Sequence, residues 1–215
     1  MTISKRLLFG PAAAVIFAVG IVSLPLMIPG YSQVRQTVSE IGEVGSPARL
    51  PFSVMLCCVG ALLLVFASAV GSLSRRRGHS PLAAWIIGFM AVPCIGIGIF
   101  AYPHPLHNVF GMLETIGYQA PIFLALSWRR DPQTKSLVRF SWIFFAIVWF
   151  TIAINFTVFH RYGTVWAHVK PIYGLVQRSL FAAWFIWCAG AALLLRRQDA
   201  SSVPTESALV AASHT

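Results

Sequence analysis

Charge is what this chain has least of. Its 215 residues include only 6 Asp and Glu against 16 Lys and Arg, and charged side chains make up 10% of the sequence, where a soluble globular domain carries about 25%. Cysteine is scarce too: Cys57, Cys58, Cys94 and Cys188 all lie inside apolar runs. Thiols there behave as small hydrophobes, and their spacing is not that of a zinc site, so neither a disulfide framework nor a redox role is expected. The dinucleotide and phosphate-loop glycine fingerprints are missing, as are the two-histidine helix of metalloproteases and the nucleophile elbow of α/β-hydrolases. Polar stretches long enough for a separate soluble domain, about 50 residues or more, are missing as well.

What is present is apolar length. Hydrophobic residues make up 57% of the chain and its mean hydropathy is +0.75, which points to a polytopic membrane protein. Six runs of membrane-spanning length cover residues 7–27, 51–73, 81–102, 108–128, 140–159 and 172–195. The fold class read from them is all-α, a polytopic membrane helix bundle with six transmembrane helices. The first run is longer than the core of about 7–15 residues in a signal peptide, so it is read as an uncleaved span. Residues 1–197 form one six-span membrane domain, and residues 198–215 a short Ser/Ala-rich tail expected to be disordered. Between the first two spans, residues 32–41 are expected to form a short helix at the interface. Pro93 is expected to kink the third span. Trp85, Trp128, Trp142, Trp166 and Tyr102 lie near span ends, where aromatic rings favour the headgroup layer.

The excess of positive charge would suggest nucleic acid in a soluble protein, but its placement argues otherwise. Eleven of the 16 Lys and Arg, among them Arg75–Arg77 and Arg129–Arg130, fall on the side of the chain ends, and four (Arg35, Arg49, Arg161, Lys170) on the other. The positive-inside rule then places both termini in the cytoplasm and the chain in the cytoplasmic membrane, with membrane lipids rather than nucleic acid as its partners.

The stretch YPHPLHNVFGMLETIGYQA, residues 102–120, carries a carboxylate, Glu114, into apolar surroundings. Ionisable side chains at such depth are costly and mark functional sites by default. With a span beginning near Asn108, Glu114 lies roughly 9 Å below the outer boundary at 1.5 Å per residue. Arg178 lies at a matching depth in the sixth span, so an ion pair between the two is expected. Helical spacing puts His107, Gly111, Glu114 and Tyr118 on one face, and Asn155 and Gln177 near the same level. Together these residues would form a polar pocket opening outward, and the competing reading is interhelical glue without a ligand. Four histidines, His104, His107, His160 and His168, fall in the outer loops. They invite a metal reading, but their spacing is that of ordinary interfacial histidines, and no metal or cofactor is expected. Haem is disfavoured because no histidine lies deep in a span.

The pattern GYSQVRQTVSEIG followed by Ser46-Pro47, a glycine-rich third span ending in Tyr-Pro with a histidine soon after, and Gly174-Leu175-Val176-Gln177-Arg178 opening the last span resembles the prokaryotic membrane family labelled domain of unknown function 998. The resemblance runs from about Leu7 to Arg197. It implies a six-span bundle with family positions at Ser39 and its acidic neighbour, at His107 or His104, and at Gln177 and Arg178. Where members often carry Asp after the serine, this chain has Glu40. More distantly, the layout is similar to DRAM-type and lipid-remodelling membrane proteins.

The expected function is non-enzymatic binding of a lipid or other small amphiphile, with Arg178 meeting a phosphate and Glu114 orienting Arg178 or meeting an amine. The alternative is an intramembrane hydrolase or transferase. Ser39 or a metal-bound water would be its nucleophile, His104 or His107 its base, and Glu40 or Glu114 the orienting carboxylate. A proton-coupled transporter titrating Glu114 ranks last, since the inner halves of the spans offer no matching acidic or histidine residue.

Overall fold

The computed structural model describes residues 1–200. Among them the secondary structure is entirely helical, and six helical segments are long and apolar enough to cross a membrane: Ile3–Met27, Arg49–Arg76, Leu82–Ile99, Pro105–Trp128, Pro132–His160 and Thr164–Asp199. The chain is a multi-pass membrane protein, as its hydropathy implies. The first span consists of α1 (Ile3–Leu7) and α2 (Phe9–Ser23), followed by α3 (Arg49–Arg76) and α4 (Leu82–Ile99). The fourth span is split into α5 (Pro105–Gly117) and α6 (Ala120–Trp128), and α7 (Lys135–Asn155), a short α8 (Thr164–Val169) and α9 (Tyr173–Ala200) complete the bundle. The helix α9 therefore continues through residues 198–200 of the expected tail, and the rest of that tail lies outside the described residues.

Local chemistry sets the ends of these elements. Pro105 opens α5 at a position where a missing N–H costs nothing, and the His104 ring caps it by accepting from Leu106 N at 3.1 Å. Gly78 ends α3 in the left-handed region (φ +71°), with His79 N reaching back to Ser74 O at 2.8 Å. Pro93 sits within α4 without ending it.

The core is built on α3 and α9. The helix α3 packs along α4 and α2, while α9 packs against α7 and α2. Trp128, Trp184 and Trp187 are among the largest fully buried side chains. Trp128 thus belongs to the core, not to the interfacial belt: it is fully buried, with its ring tilted against that of His79 at 4.3 Å between centroids. The start of α1 and the last turns of α9 share one face of the bundle: Arg196 Nε donates to Ser4 Oγ at 3.2 Å, and Arg76 pairs with Asp199.

Two further features depart from the sequence reading. The fourth span breaks at Tyr118–Gln119 because Pro121 has no N–H to return to Gly117 O, four residues back. That carbonyl is taken instead by the indole N–H of Trp184 from α9, at 3.1 Å. The segment at residues 32–41 is not an interfacial helix. It is a series of turns leading into a 3-10 turn, Val38–Gly42, folded down onto the start of α9 by Arg178 and Gln177.

Candidate functional site

At the end of the bundle opposite Ser4 and Arg196, the helices enclose a cavity of ≈ 440 Å³, within the usual size range of small-molecule sites. Most of its wall is apolar and aromatic, including Phe17, Met90, Phe181, Trp184 and Phe185. Ser39, His107, Asn108, Glu114, Tyr118, Asn155 and Gln177 supply polar groups. Among the wall residues only Asn108 and Met112 of α5 and Phe156, Phe159 and Arg161 at the end of α7 are exposed. The exposed part of the wall therefore lies along α5 and the segment that follows α7.

Of the residues singled out in the sequence, six share this wall: Ser39, His107, Glu114, Tyr118, Asn155 and Gln177. The other three do different work. His104 is exposed and caps α5. Glu40 turns back on its own loop, accepting from Thr37 N at 2.5 Å and Thr37 Oγ1 at 2.8 Å, and so fixes the start of the Val38–Gly42 turn.

Arg178 does not meet Glu114. It is 8% exposed, and its Nη1 donates to Gln33 O (2.9 Å), Gln36 O (2.9 Å) and Gly174 O (3.0 Å), while Nη2 donates to the Tyr31 hydroxyl at 2.9 Å. Tyr31 in turn donates to Thr37 O at 2.6 Å. Burial raises the Tyr31 phenol above its ordinary value of 10.0, against the opposing pull of Arg178. The expected match in depth does not bring the two charges together: Arg178 is held by the carbonyls of the loop, and Glu114 by Tyr118. Arg178 is consequently a clamp whose two Nη groups are engaged by the loop and by Gly174 O, while its Nε is buried without a partner. Gly174 makes the clamp possible: a Cβ there would strike the carbonyl oxygens of Gln36 and Gln33, the latter at 2.6 Å. Gln177 completes it by accepting from Val38 N at 2.6 Å.

Glu114 accepts from the Tyr118 hydroxyl at 3.0 Å, one turn along the same face. Asn155 spends both donors of its amide nitrogen on Thr151 O (2.8 Å) and Val176 O (3.2 Å), tying α7 to α9. His107 is 5% exposed, with Nδ1 at 2.9 Å from Phe100 O and Nε2 at 3.0 Å from Ser39 Oγ. A carbonyl oxygen can only accept, so the ring proton sits on Nδ1 and Nε2 presents its lone pair to the serine hydroxyl. The orienting group for His107 is thus a backbone carbonyl and not Glu40 or Glu114. Glu114 lies seven residues further along the helix, about 10 Å deeper. Among the described residues, no three or more of His, Cys, Asp and Glu come together as a metal set.

The sequence reading missed Arg161, which it counted only toward topology. Arg161 is the exposed cation on the cavity wall, and the available signal was its position immediately beyond the aromatic end of the fifth span. Trp184 and Phe181 were missed because aromatic residues in a membrane span look like core from sequence alone.

No curated protein and no solved structure matches the chain. The model for the family described as protein of unknown function (DUF998) matches residues 11–194, which include the Ser39 loop, the α4–α5 corner and the Gln177–Arg178 clamp, and the chain belongs to that family.

Proposed function

We propose that the protein binds one membrane amphiphile, with the headgroup in the cavity and the acyl chains trailing sideways into the bilayer. The observation that carries this reading is where the cavity wall is exposed. The exposed wall residues lie along α5 and the segment that follows α7, and three of them, Met112, Phe156 and Phe159, are apolar. A cavity of ≈ 440 Å³ is too small for a whole two-chain lipid but suits a headgroup. Arg161 at the rim supplies the charge for a phosphate, and Glu114 further in supplies an acceptor for a hydroxyl or amine.

Gly111 provides the test, because a Cβ built there meets nothing within 4 Å. Gly111→Leu extends a side chain into the cavity from a position where its first carbon meets no neighbour, and improves the helix propensity of α5. Native mass spectrometry of gently purified protein should show retained lipid in the parent chain. In the variant, affinity should fall by about tenfold or more, equivalent to about 1.4 kcal/mol, at an unchanged melting temperature. Equal lipid retention by a stably folded variant would remove this cavity as the binding site.

A further inference from the structure

We propose that Ser39 and His107 are a nucleophile and its general base, acting on an acyl ester of the amphiphile held in the cavity; the substrate class rests on the binding reading above. Three independent parts of the chain converge to make the pair. The Val38–Gly42 turn, pinned by the Glu40–Thr37 cap and by Gln177, carries Ser39. The end of α4 supplies Phe100 O, and the first turn of α5 supplies His107. A serine serving only to satisfy a buried ring would work equally well with either tautomer. Here the Phe100 carbonyl forces the tautomer whose lone pair faces Ser39 Oγ at 3.0 Å. Ser39 is also only half-buried and stands on the cavity wall, where a ligand can reach it.

The chemistry this geometry supports is acyl transfer. Ser39 Oγ bonds to the ester carbonyl carbon while its proton passes to His107 Nε2, and the resulting imidazolium keeps its Nδ1–H bond to Phe100 O. The ester C–O bond then breaks, and the Nε2 proton goes to the departing alcohol oxygen, leaving an acyl-serine. Water, or the hydroxyl of an acceptor, attacks that acyl carbon and gives its proton to Nε2. Ser39 Oγ leaves and recovers the proton. Neutral amide donors for the developing oxyanion are available on the same wall in Asn108 and Gln177, whereas those of Asn155 are already used.

The test uses the full chain in detergent or nanodiscs, treated separately with a long-chain alkyl fluorophosphonate and with diisopropyl fluorophosphate, followed by peptide mass mapping. Ser39 Oγ should displace fluoride and carry the adduct, with Ser32 and Ser46 of the same loop unlabelled. His107→Gln should slow labelling by about 100-fold or more. Ser39→Ala, which removes only a hydroxyl, should abolish labelling in protein that still folds, with a melting temperature lowered by no more than the loss of one hydrogen bond to His107, and it keeps the test valid if His107→Gln does not fold. Gly111→Leu should block the long-chain reagent and spare the short one. Failure of both reagents to label Ser39 in protein that still retains lipid overturns the dyad and leaves the binding reading standing, as does equal labelling of Ser32, Ser39 and Ser46. Selective labelling of Ser39 by the short reagent in protein that retains no lipid upholds the dyad and overturns the binding reading.

Discussion

The indole N–H of Trp184 donates to Gly117 O at 3.1 Å, filling the place of the backbone donor that Pro121 lacks. Trp184→Phe leaves a buried carbonyl without a partner and should cost about 1–3 kcal/mol, read as a lower melting temperature in detergent. Pro121→Ala restores an N–H that can close the helix onto Gly117, so it should be less harmful in the Trp184→Phe background than in the parent chain. A strictly additive double-mutant cycle would show that the two residues do not share this carbonyl.

The clamp at the head of α9 is a second point of stress. Arg178→Lys keeps the charge but cannot span the carbonyls of Gln33 and Gln36 and the Tyr31 hydroxyl together. It should lose about 2–4 kcal/mol, the cost of one or two unsatisfied buried carbonyls. Gly174→Ala should be at least as damaging, because its Cβ meets backbone oxygens that belong to the same clamp. Limited proteolysis of residues 30–45 is the direct readout, and both variants should be cut faster than the parent.

Glu114→Gln and Arg178→Gln should combine additively in thermal stability, to within about 0.3–0.5 kcal/mol. The two side chains have different partners, Tyr118 for one and the loop carbonyls for the other. A larger coupling energy would restore the direct ion pair that the depth argument suggested.

Alkaline pH should loosen the same clamp. The folded protein holds Tyr31 protonated to a higher pH than the unfolded chain does, so this contribution to stability is complete below pH about 10 and is lost as pH rises through the folded value. Tyr31→Phe should melt lower at pH 8 and show a shallower loss of stability above pH 10. An identical alkaline slope in the two proteins would exclude Tyr31 as the titrating group.

Much of the site was legible in the sequence because helical periodicity places side chains on faces. His107, Gly111, Glu114 and Tyr118 recur at spacings of three and four, and all four line the cavity. Partners across the fold were not legible in the same way. Counting residues put Arg178 and Glu114 at one depth, yet rise per residue says nothing about how a helix is rotated or which loop folds back onto it. The same limit hid the orienting group of His107, which is a main-chain oxygen and has no signature in the residue alphabet.

The sequence by itself determined the solvent this protein folds in, the number of its crossings and the face on which its polar residues gather. Those follow from the length, period and composition of contiguous segments, which are local properties. Only the tertiary structure decided what each polar residue does. It drew the loop at residues 31–42 down onto α9, turned Arg178 from a headgroup candidate into a clamp, placed Ser39 against the free lone pair of His107, and brought Arg161 to the exposed part of the cavity wall. Each of those outcomes depends on which donor reaches an acceptor first in a packed bundle, and that competition is settled between residues far apart in the chain.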